Sequence, residues 1–348
     1  MRKRPVTSQE VANLAGVSQS AVSRCFSPNA SIAPKTKEKV LAAAQQLGYR
    51  PNAIARSLIT RSSRTIAVVM SQLDNPFYAQ MLEYASRRFQ QHGYHLLLFM
   101  SSDEQETASV MSDILQSQAD GILMLAATLS SSLAKECVAR GIPVVMINRT
   151  VAFEGVSQVA SDNYHGGYWV GRHLVESGCE RIAFLAGLAD SSTSSQRRQG
   201  FLDALAEHGV ACWAEAVGDY DFTTAQAATR ALFKADVYPD AVFAANDHMA
   251  IAVIDTLKAE LGLQVPHDVA VVGFDNIPVA AWPSYQLTTV QQPIEAMVDE
   301  ATALLLGQIA SGQVMGERKV LPVTPIVRDS AARDSSLTLC AHAQPVRK

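Results

Sequence analysis

Thr7-Ser8-Gln9-Glu10-Val11-Ala12-Asn13-Leu14-Ala15-Gly16-Val17-Ser18-Gln19-Ser20-Ala21-Val22-Ser23-Arg24-Cys25-Phe26 is the stretch on which the reading of this chain turns. Thr7 and Glu10 have the spacing of a capping box, in which a hydroxyl and a carboxylate satisfy orphan amides of a first helical turn. Val11, Leu14 and Ala15 follow at i, i+3 and i+4 and predict one buried face. Gly16 permits a tight turn, Val17 fills its corner, and Ser18 is placed to cap a second helix over residues 19–26. On that helix Val22, Cys25 and Phe26 share a face, leaving Gln19, Ser20, Ser23 and Arg24 on the other. Pro34 suits the first position of a third helix, whose inward stripe is Val40, Leu41, Ala44 and Leu47 and whose stop is Gly48. The pattern predicts an all-α helix-turn-helix head over residues 1–50. With the cap Ser18, its polar face has the chemistry of a major-groove reader. Arg forks onto guanine, while Gln and Ser offer donors and acceptors to base edges.

Charge points the same way. Residues 1–65 carry eleven Lys or Arg against Glu10 and Glu38, a formal +9, whereas the remainder carries 18 against 31, or −13. A basic module of that density is the footprint of a phosphate-binding surface, and the acidic remainder confines contact to one end. At 348 residues and 48% hydrophobic, the chain can bury a large core in more than one domain. No apolar run approaches the 18 residues of a membrane span, and Met1-Arg2-Lys3-Arg4 does not open a signal peptide. Cys25, Cys137, Cys179, Cys212 and Cys340 are scattered and without CxxC spacing. That is expected of a reducing cytoplasm, with no disulfide framework and no metal site.

From Arg64 onward, apolar runs alternate with amphipathic ones. Residues 65–70, 95–100, 121–125 and 144–148 read as buried strands, separated by helices near 77–92, 105–117 and 131–140. A second series has strands at 182–186, 214–217, 241–245 and 269–274, with helices over 197–208, 224–235 and 248–260. Such alternation predicts right-handed βαβ units and parallel sheets. The fold class expected is therefore the helical head plus an α/β domain of two doubly wound parallel-sheet lobes.

Several segments resemble, in order, the LacI/GalR family of bacterial transcription regulators. In the head they are Val11 to Ser18, Ala21-Val22-Ser23-Arg24, and Leu47-Gly48-Tyr49-Arg50-Pro51-Asn52-Ala53-Ile54-Ala55-Arg56-Ser57-Leu58. Beyond it they are Asn75-Pro76-Phe77, Arg197 with Gly200-Phe201, Ala245-Asn246-Asp247, Gly273-Phe274-Asp275 and Leu287-Thr288-Thr289-Val290. The resemblance implies a hinge helix over residues 52–59, with Asn52 near its start, Ala55 and Arg56 along it, and Leu58 as a wedge levered into the minor groove. Apolar wedges of this kind unstack a base step. A helix so short is below the roughly 12 residues at which isolated helices become stable, so it is expected to form only when paired on DNA. The head also departs from the family: Cys25-Phe26-Ser27-Pro28 replaces an aliphatic pair and Asn-Gly, and Ala33 offers no capping oxygen before Pro34.

For the larger part the resemblance implies a periplasmic-binding-protein type I fold. The expected organisation is a hinge and linker at 51–63 and a ligand-binding and dimerisation domain at 64–333. The lobe nearest DNA takes about 64–163 and 292–322, the distal lobe about 164–291 and 323–333. A tail, 334–348, lacks heptads and reads as disordered. Open parallel sheets bind ligands at the carboxyl ends of their strands. There the sequence offers Asn75 and Phe77, Asp162 at the first crossing, Arg197, Asn246, Asp275, and Gln292 beyond the Thr-Thr segment. Tyr220 stands where the family often has an aromatic platform. Arg and Asp grip adjacent hydroxyls and a ring covers an apolar sugar face, so a sugar or related metabolite is the expected ligand. Asn and Asp after strands also serve as plain helix caps.

Two rival classes share the fold. An α/β enzyme finds no support: no GxGxxG follows a strand, no Walker loop or nucleophile elbow is present, and Gly166, Gly167 and Gly171 lie in a helix-like stretch. His173 and Glu176 read as surface decoration. A transport receptor is at odds with residues 1–60. The expectation is a cytoplasmic regulator, most simply a repressor. It would bind a pseudopalindromic DNA operator as a homodimer, without cofactor or membrane, under allosteric control by a small molecule.

Overall fold

The computed structural model describes residues 4, 6–26, 31–50, 62–71, 73–101, 104–125, 131–151, 153 and 155–332. The proposed hinge residues Asn52, Ala55, Arg56 and Leu58, the Ser27-Pro28 loop and the tail 334–348 lie outside it. The chain divides into two compact units, residues 1–64 and 65–348.

The first unit is three helices: α1 (Ser8–Ala15), α2 (Gln19–Cys25) and α3 (Pro34–Leu47). The capping box forms, with the Glu10 amide donating to Thr7 Oγ1 at 3.3 Å and the Thr7 amide donating to Glu10 Oε2 at 2.7 Å. Gly16 and Gly48 end α1 and α3 in the left-handed region, at φ 64° and 66°. Val11, Ala12, Ala21, Val22, Val40, Ala43 and Ala44 make the buried centre. Two expected core residues are corrected here: Leu14 and Leu41 are 47% and 44% exposed, and the small Ala12 and Ala43 take their places. Helices this short pack closely enough that alanines fill the inner face. Ala33 makes no side-chain cap at α3.

The second unit holds two parallel sheets. The larger has six strands in the order β11-β5-β4-β3-β1-β2: β1 (Thr65–Met70), β2 (His95–Met100), β3 (Gly121–Leu125), β4 (Val144–Ile147), β5 (Ser157–Ser161) and β11 (Arg318–Leu321). The smaller has four, β7-β6-β8-β9: β6 (Ile182–Ala186), β7 (Ala214–Val217), β8 (Ala241–Ala244) and β9 (Ala270–Val272). Helices α4 (Pro76–Gln91), α5 (Glu104–Ser117), α6 (Ser131–Ala139) and α11 (Ile294–Ser311) belong to the first lobe. Helices α7 (Asn163–Glu176), α8 (Ser192–Glu207), α9 (Phe222–Leu232) and α10 (Asp247–Asp255) belong to the second.

Alternation along β1 shows why the larger sheet is covered on both faces. Ile66, Val68 and Met70 join a core with Met81, Ala85 and Phe89 of α4 and Ala301 and Leu305 of α11. Ala67 and Val69 join the opposite core with Met111 and Ile114 of α5. Side chains alternate every residue, so a strand apolar throughout needs helices on both sides. β2 corrects one expectation. Its apolar run predicts a buried strand, yet it is the sheet's edge, with Leu97, Leu98 and Met100 39%, 40% and 43% exposed.

The chain passes from the first sheet to the second between Ser161 and Ile182. It returns after β10 (Thr289–Gln291), and leaves again after β11 for β12 (Thr324–Ile326), which pairs antiparallel with β10. Single bridges from Thr288 to Val272 and from Gln291 to Asp275 tie β10 to the second lobe. Helix α8 begins at Ser192, a turn earlier than residue 197, because Ser191 caps it through the Ser194 amide.

Packing of α7 on α8 explains the glycines of the helix-like stretch. A Cβ on Gly167 would meet the Arg197 carbonyl oxygen, one on Gly171 the Phe201 carbonyl, and one on Gly200 the Tyr164 carbonyl. These glycines let two backbones touch, and that contact fixes where Arg197 stands.

Candidate functional site

In the head, Ser18 is the N-cap of α2, its Oγ accepting from the Ala21 amide at 3.3 Å and lying 2.9 Å from Ser20 Oγ. Gln19 Nε2 donates to Ser8 Oγ at 2.9 Å, and Arg24 Nε approaches the Ser20 carbonyl at 3.4 Å. Ser18, Gln19, Ser20, Ser23 and Arg24 are all exposed, while Ala21 and Val22 are buried beneath them. The structure thus brings all five onto one solvent face of α2. That face is rich in donors and neutral acceptors and carries no acid.

The second constellation lies where the carboxyl ends of both sheets meet. Arg197, 2% exposed, points from α8 and is held four ways. Its Nε donates to Asn163 Oδ1 at 2.8 Å and its Nη1 to the Ala245 carbonyl at 2.5 Å. Its Nη2 lies 3.5 Å from Asp275 Oδ1, and its guanidinium carbon sits 3.7 Å over the Phe274 ring centre. Asp275 Oδ1 accepts from Gln292 Nε2 at 2.6 Å, and Gln292 Oε1 accepts from Ser161 Oγ at 2.5 Å. Asn163 Nδ2 donates to the Ser161 carbonyl at 3.0 Å. Ser161, Gln292, Asp275, Arg197 and Asn163 therefore form a closed ring of polar contacts. It spans both lobes at two of the three places where the chain crosses.

Electrostatics in the ring follow from burial. Desolvation pushes the Asp275 carboxyl up to about 7; Arg197 opposes this, and Asp247 adds to it. Asp275 also sits at φ 121°, a region L-residues rarely adopt. Asp247 is fully buried and pushed up to about 6 by desolvation, despite hydrogen bonds from Thr289 Oγ1 at 2.6 Å and the Ile277 amide at 2.9 Å. Those bonds staple the start of α10 to β10 and to the loop after β9, a structural task. Burial likewise pushes the Tyr78 hydroxyl up to about 12.

The other sequence candidates divide. Tyr220 is 5% exposed, in left-handed backbone at φ 60°, with its hydroxyl 2.9 Å from Thr193 Oγ1. Its ring lies over Gly187, where any Cβ would strike it. Asn75, Asp162 and Asn246 are N-caps of α4, α7 and α10, accepting from the amides of Phe77, His165 and Met249. Asp162 also pairs with His165 Nδ1 at 2.7 Å. Phe77 is 1% exposed in the core, edge-on to Tyr78.

Three residues that the sequence reading missed lie in this region: Tyr78, Asn148 and Arg149. Asn148 Nδ2 donates to the Tyr78 hydroxyl at 3.0 Å. Next to Arg149, the Thr150 amide donates to Ser192 Oγ at 2.9 Å, a direct contact between lobes. Asn148 and Arg149 follow β4 at its carboxyl end, the rule that singled out Asn75 and Asp275, so the signal was present.

A helical head with an exposed, donor-rich polar face, joined to a two-lobe unit with a polar cleft, defines the class of ligand-sensing DNA-binding regulators. Residues 7–52 match the family described as bacterial regulatory proteins, lacI family. Residues 63–332 match the one described as periplasmic binding proteins and sugar binding domain of LacI family. The HTH-type transcriptional regulator CelR of Thermobifida fusca is 34% identical over 338 residues, 94% of this chain and 99% of that regulator. The ribose operon repressor of Escherichia coli (strain K12) is 33% identical over 330 residues, covering 93% and 98%. Among solved structures, the lac repressor dimer bound to operator and the anti-inducer ONPF matches with a TM-score of 0.85 at 26% identity, over 94% of this chain and 99% of that one. The CelR–cellobiose complex matches at 0.71 and 33% identity, over 94% and 100%.

The chain belongs to the LacI family of bacterial transcription regulators. It is a DNA-binding regulator and not an enzyme. No helix among the described residues is long and apolar enough to cross a membrane.

Proposed function

We propose that this protein is a repressor working in the cytoplasm, on the nucleoid. It binds a pseudopalindromic operator as a homodimer, through the outer face of α2 and residues 52–59. A small polyhydroxylated ligand between the lobes sets the strength of that grip. The observation that carries the reading is the closed ring of Ser161, Gln292, Asp275, Arg197 and Asn163. Ser161, Asn163 and Gln292 lie at the crossing segments, with Asn163 bonded to Arg197 and Gln292 to Asp275 of the second lobe, so a ligand that engages Arg197 or Asp275 acts on the lobe hinge. Arg and Asp, aided by Tyr220, are groups that grip vicinal hydroxyls. Binding that favours one lobe angle shifts the population toward it, and a coupling of about 1–3 kcal/mol changes operator occupancy severalfold to a hundredfold.

A second copy is the partner that fits the exposed edge of β2. Leu97, Leu98 and Met100 leave apolar surface on a strand edge that is unpaired among the described residues, which solvent disfavours. Two heads then meet two half-sites, as in other dimeric helix-turn-helix proteins.

The test is binding of the full chain to promoter fragments of its own genome, with and without sugars and sugar derivatives. The expected result is a site bound tightly at low salt and less tightly as salt rises, with affinity altered by at least one compound. Arg197→Ala should keep operator binding and lose the response to that compound. Failure to bind any fragment, or a response unchanged in the variant, overturns the reading.

A further inference from the structure

Ser8 opens α1 and Gln19 opens α2, so each is the first residue of its helix. Gln19 is exposed and Ser8 half-buried, and the Gln19 Nε2 to Ser8 Oγ hydrogen bond of 2.9 Å joins them across the turn. Ser8 is itself firmly placed. The capping box beside it holds the start of α1, with the Thr7 amide and hydroxyl both donating to Glu10 Oε2, at 2.7 and 2.9 Å. The bond between Ser8 and Gln19 is not what keeps the helices together. Val11 and Ala12 of α1 and Val22 of α2 are fully buried in a common core, and a hydrogen bond open to water adds little to that.

What the bond changes is the freedom of Gln19. Ser18, Ser20 and Arg24 are tied along α2 itself, Ser18 Oγ lying 2.9 Å from Ser20 Oγ and Arg24 Nε 3.4 Å from the Ser20 carbonyl. Gln19 instead reaches across to α1. An unrestrained glutamine has several torsions to freeze when it meets a base, and that lost freedom subtracts from affinity. With one N–H engaged on Ser8, the amide keeps Oε1 as an acceptor and its second N–H as a donor. An acceptor and a donor side by side match the N6 amino group and N7 of adenine in the major groove, a pairing that the other bases do not offer.

From the bond that joins the first residues of the two helices, we propose that Ser8, outside the reading helix, is a positioning residue for operator specificity: it holds the Gln19 amide in the attitude that reads adenine. The inference rests on the outer face of α2 as the major-groove reader and deepens that reading. Ser8 need touch no base; it sets how sharply Gln19 tells one base from another.

The test is selection of bound duplexes from a randomised pool by the full-length protein, comparing wild type with Ser8→Ala, Ser8→Thr and Gln19→Ala at the same salt concentration. The operator position whose preference Gln19→Ala erases is the one that Gln19 reads. Wild type should favour adenine there by about tenfold to hundredfold, the discrimination of a good bidentate pair. Ser8→Ala should cut that preference by about threefold to tenfold, the effect of losing one neutral hydrogen bond. Preferences at the other positions and the melting transition of the head should stay as they are. Ser8→Thr keeps the hydroxyl and should restore the wild-type profile. A uniform loss of affinity over all sequences in Ser8→Ala would mark Ser8 as a phosphate contact and overturn the proposal. A lowered melting transition with an unaltered profile would make Ser8 structural and do the same. So would a profile and stability both unmoved by Ser8→Ala, or a base other than adenine at the Gln19 position. A profile indifferent to Gln19→Ala would overturn the α2 reading itself, an outcome separate from any result with Ser8.

Discussion

Asp275 concentrates the chemistry of the cleft in one carboxyl: 3% exposed, in rare backbone, beside a guanidinium, and pushed up to about 7 by burial. A carboxyl whose pKa is raised in the folded state holds its proton more tightly there than in the unfolded chain, where about 4 is usual. Its contribution to stability is present below about pH 4 and is lost as pH rises through about 7. Asp275→Asn keeps the acceptor for Gln292 and cannot ionise. The midpoint of the variant minus that of the wild type should therefore grow between pH 5 and pH 8 in thermal melts. A constant difference would mean that Asp275 is ionised throughout.

Residue-level legibility divides along the same chemistry. Arg197, Asp275, Gln292 and Tyr220 stand out as groups too polar, or too particular, for the places a strand-helix pattern gives them, and they meet in the cleft. Asn75, Asp162 and Asn246 answer to the same rule, and each also caps a helix. A cap and a ligand donor want the same residue type at the same end of a strand, so sequence alone does not separate them.

At the scale of elements, the strands read most clearly are those buried on both faces. β1, β3 and β4 are apolar without interruption because helices cover each side. β5 escaped notice because it is Ser157-Gln158-Val159-Ala160-Ser161, polar yet fully buried. Its polar atoms are met from far along the chain or from a neighbouring loop: Ser157 Oγ by the Met315 carbonyl and Gln308, and the Gln158 amide by Val151. No local pattern encodes such partners. β2 misled in the opposite sense, since an apolar run does not say whether anything covers it.

Two predictions belong to elements. Gly167→Ala places a methyl against the Arg197 carbonyl, so α7 and α8 must separate. A loss of about 1–3 kcal/mol is expected in urea unfolding, the usual cost of overpacking, together with a weakened ligand response because Arg197 moves. In the head, α3 starts without a side-chain cap. Ala33→Ser should stabilise that unit by about 0.5–2 kcal/mol, as a supplied cap oxygen does, visible as a higher melting transition of the helical head. No gain would mean that the Thr36 and Lys37 amides, which reach the Ala33 carbonyl, leave nothing for the hydroxyl to satisfy.

At the scale of the molecule, the division of charge and the bare edge of β2 together describe how the protein meets its partners. Leu98→Glu puts a carboxylate on the proposed contact between copies. Sedimentation should then show a monomer where the wild type is a dimer, and operator affinity should fall because one head alone grips one half-site. A dimer that persists would move the contact to another face. The +9 of the first 65 residues against the −13 of the rest also fixes a sign: affinity for operator should decline steeply with added salt, roughly in proportion to the phosphates neutralised.

The ring that joins Ser161, Asn163, Arg197, Asp275 and Gln292 limits how this regulator can be retuned as a biosensor. Its members come from four parts of the chain, around residues 161–163, 197, 275 and 292, and on the proposed reading Arg197 and Asp275 meet the ligand through groups that also tie the lobes together. Altering any of them to welcome a new analyte also detunes the switch, so libraries built there should yield constitutive or silent sensors rather than re-specified ones. On the same proposal, positions outside the ring, such as Tyr78 and Tyr220, are where selectivity should be rewritten while the transducer keeps its gain.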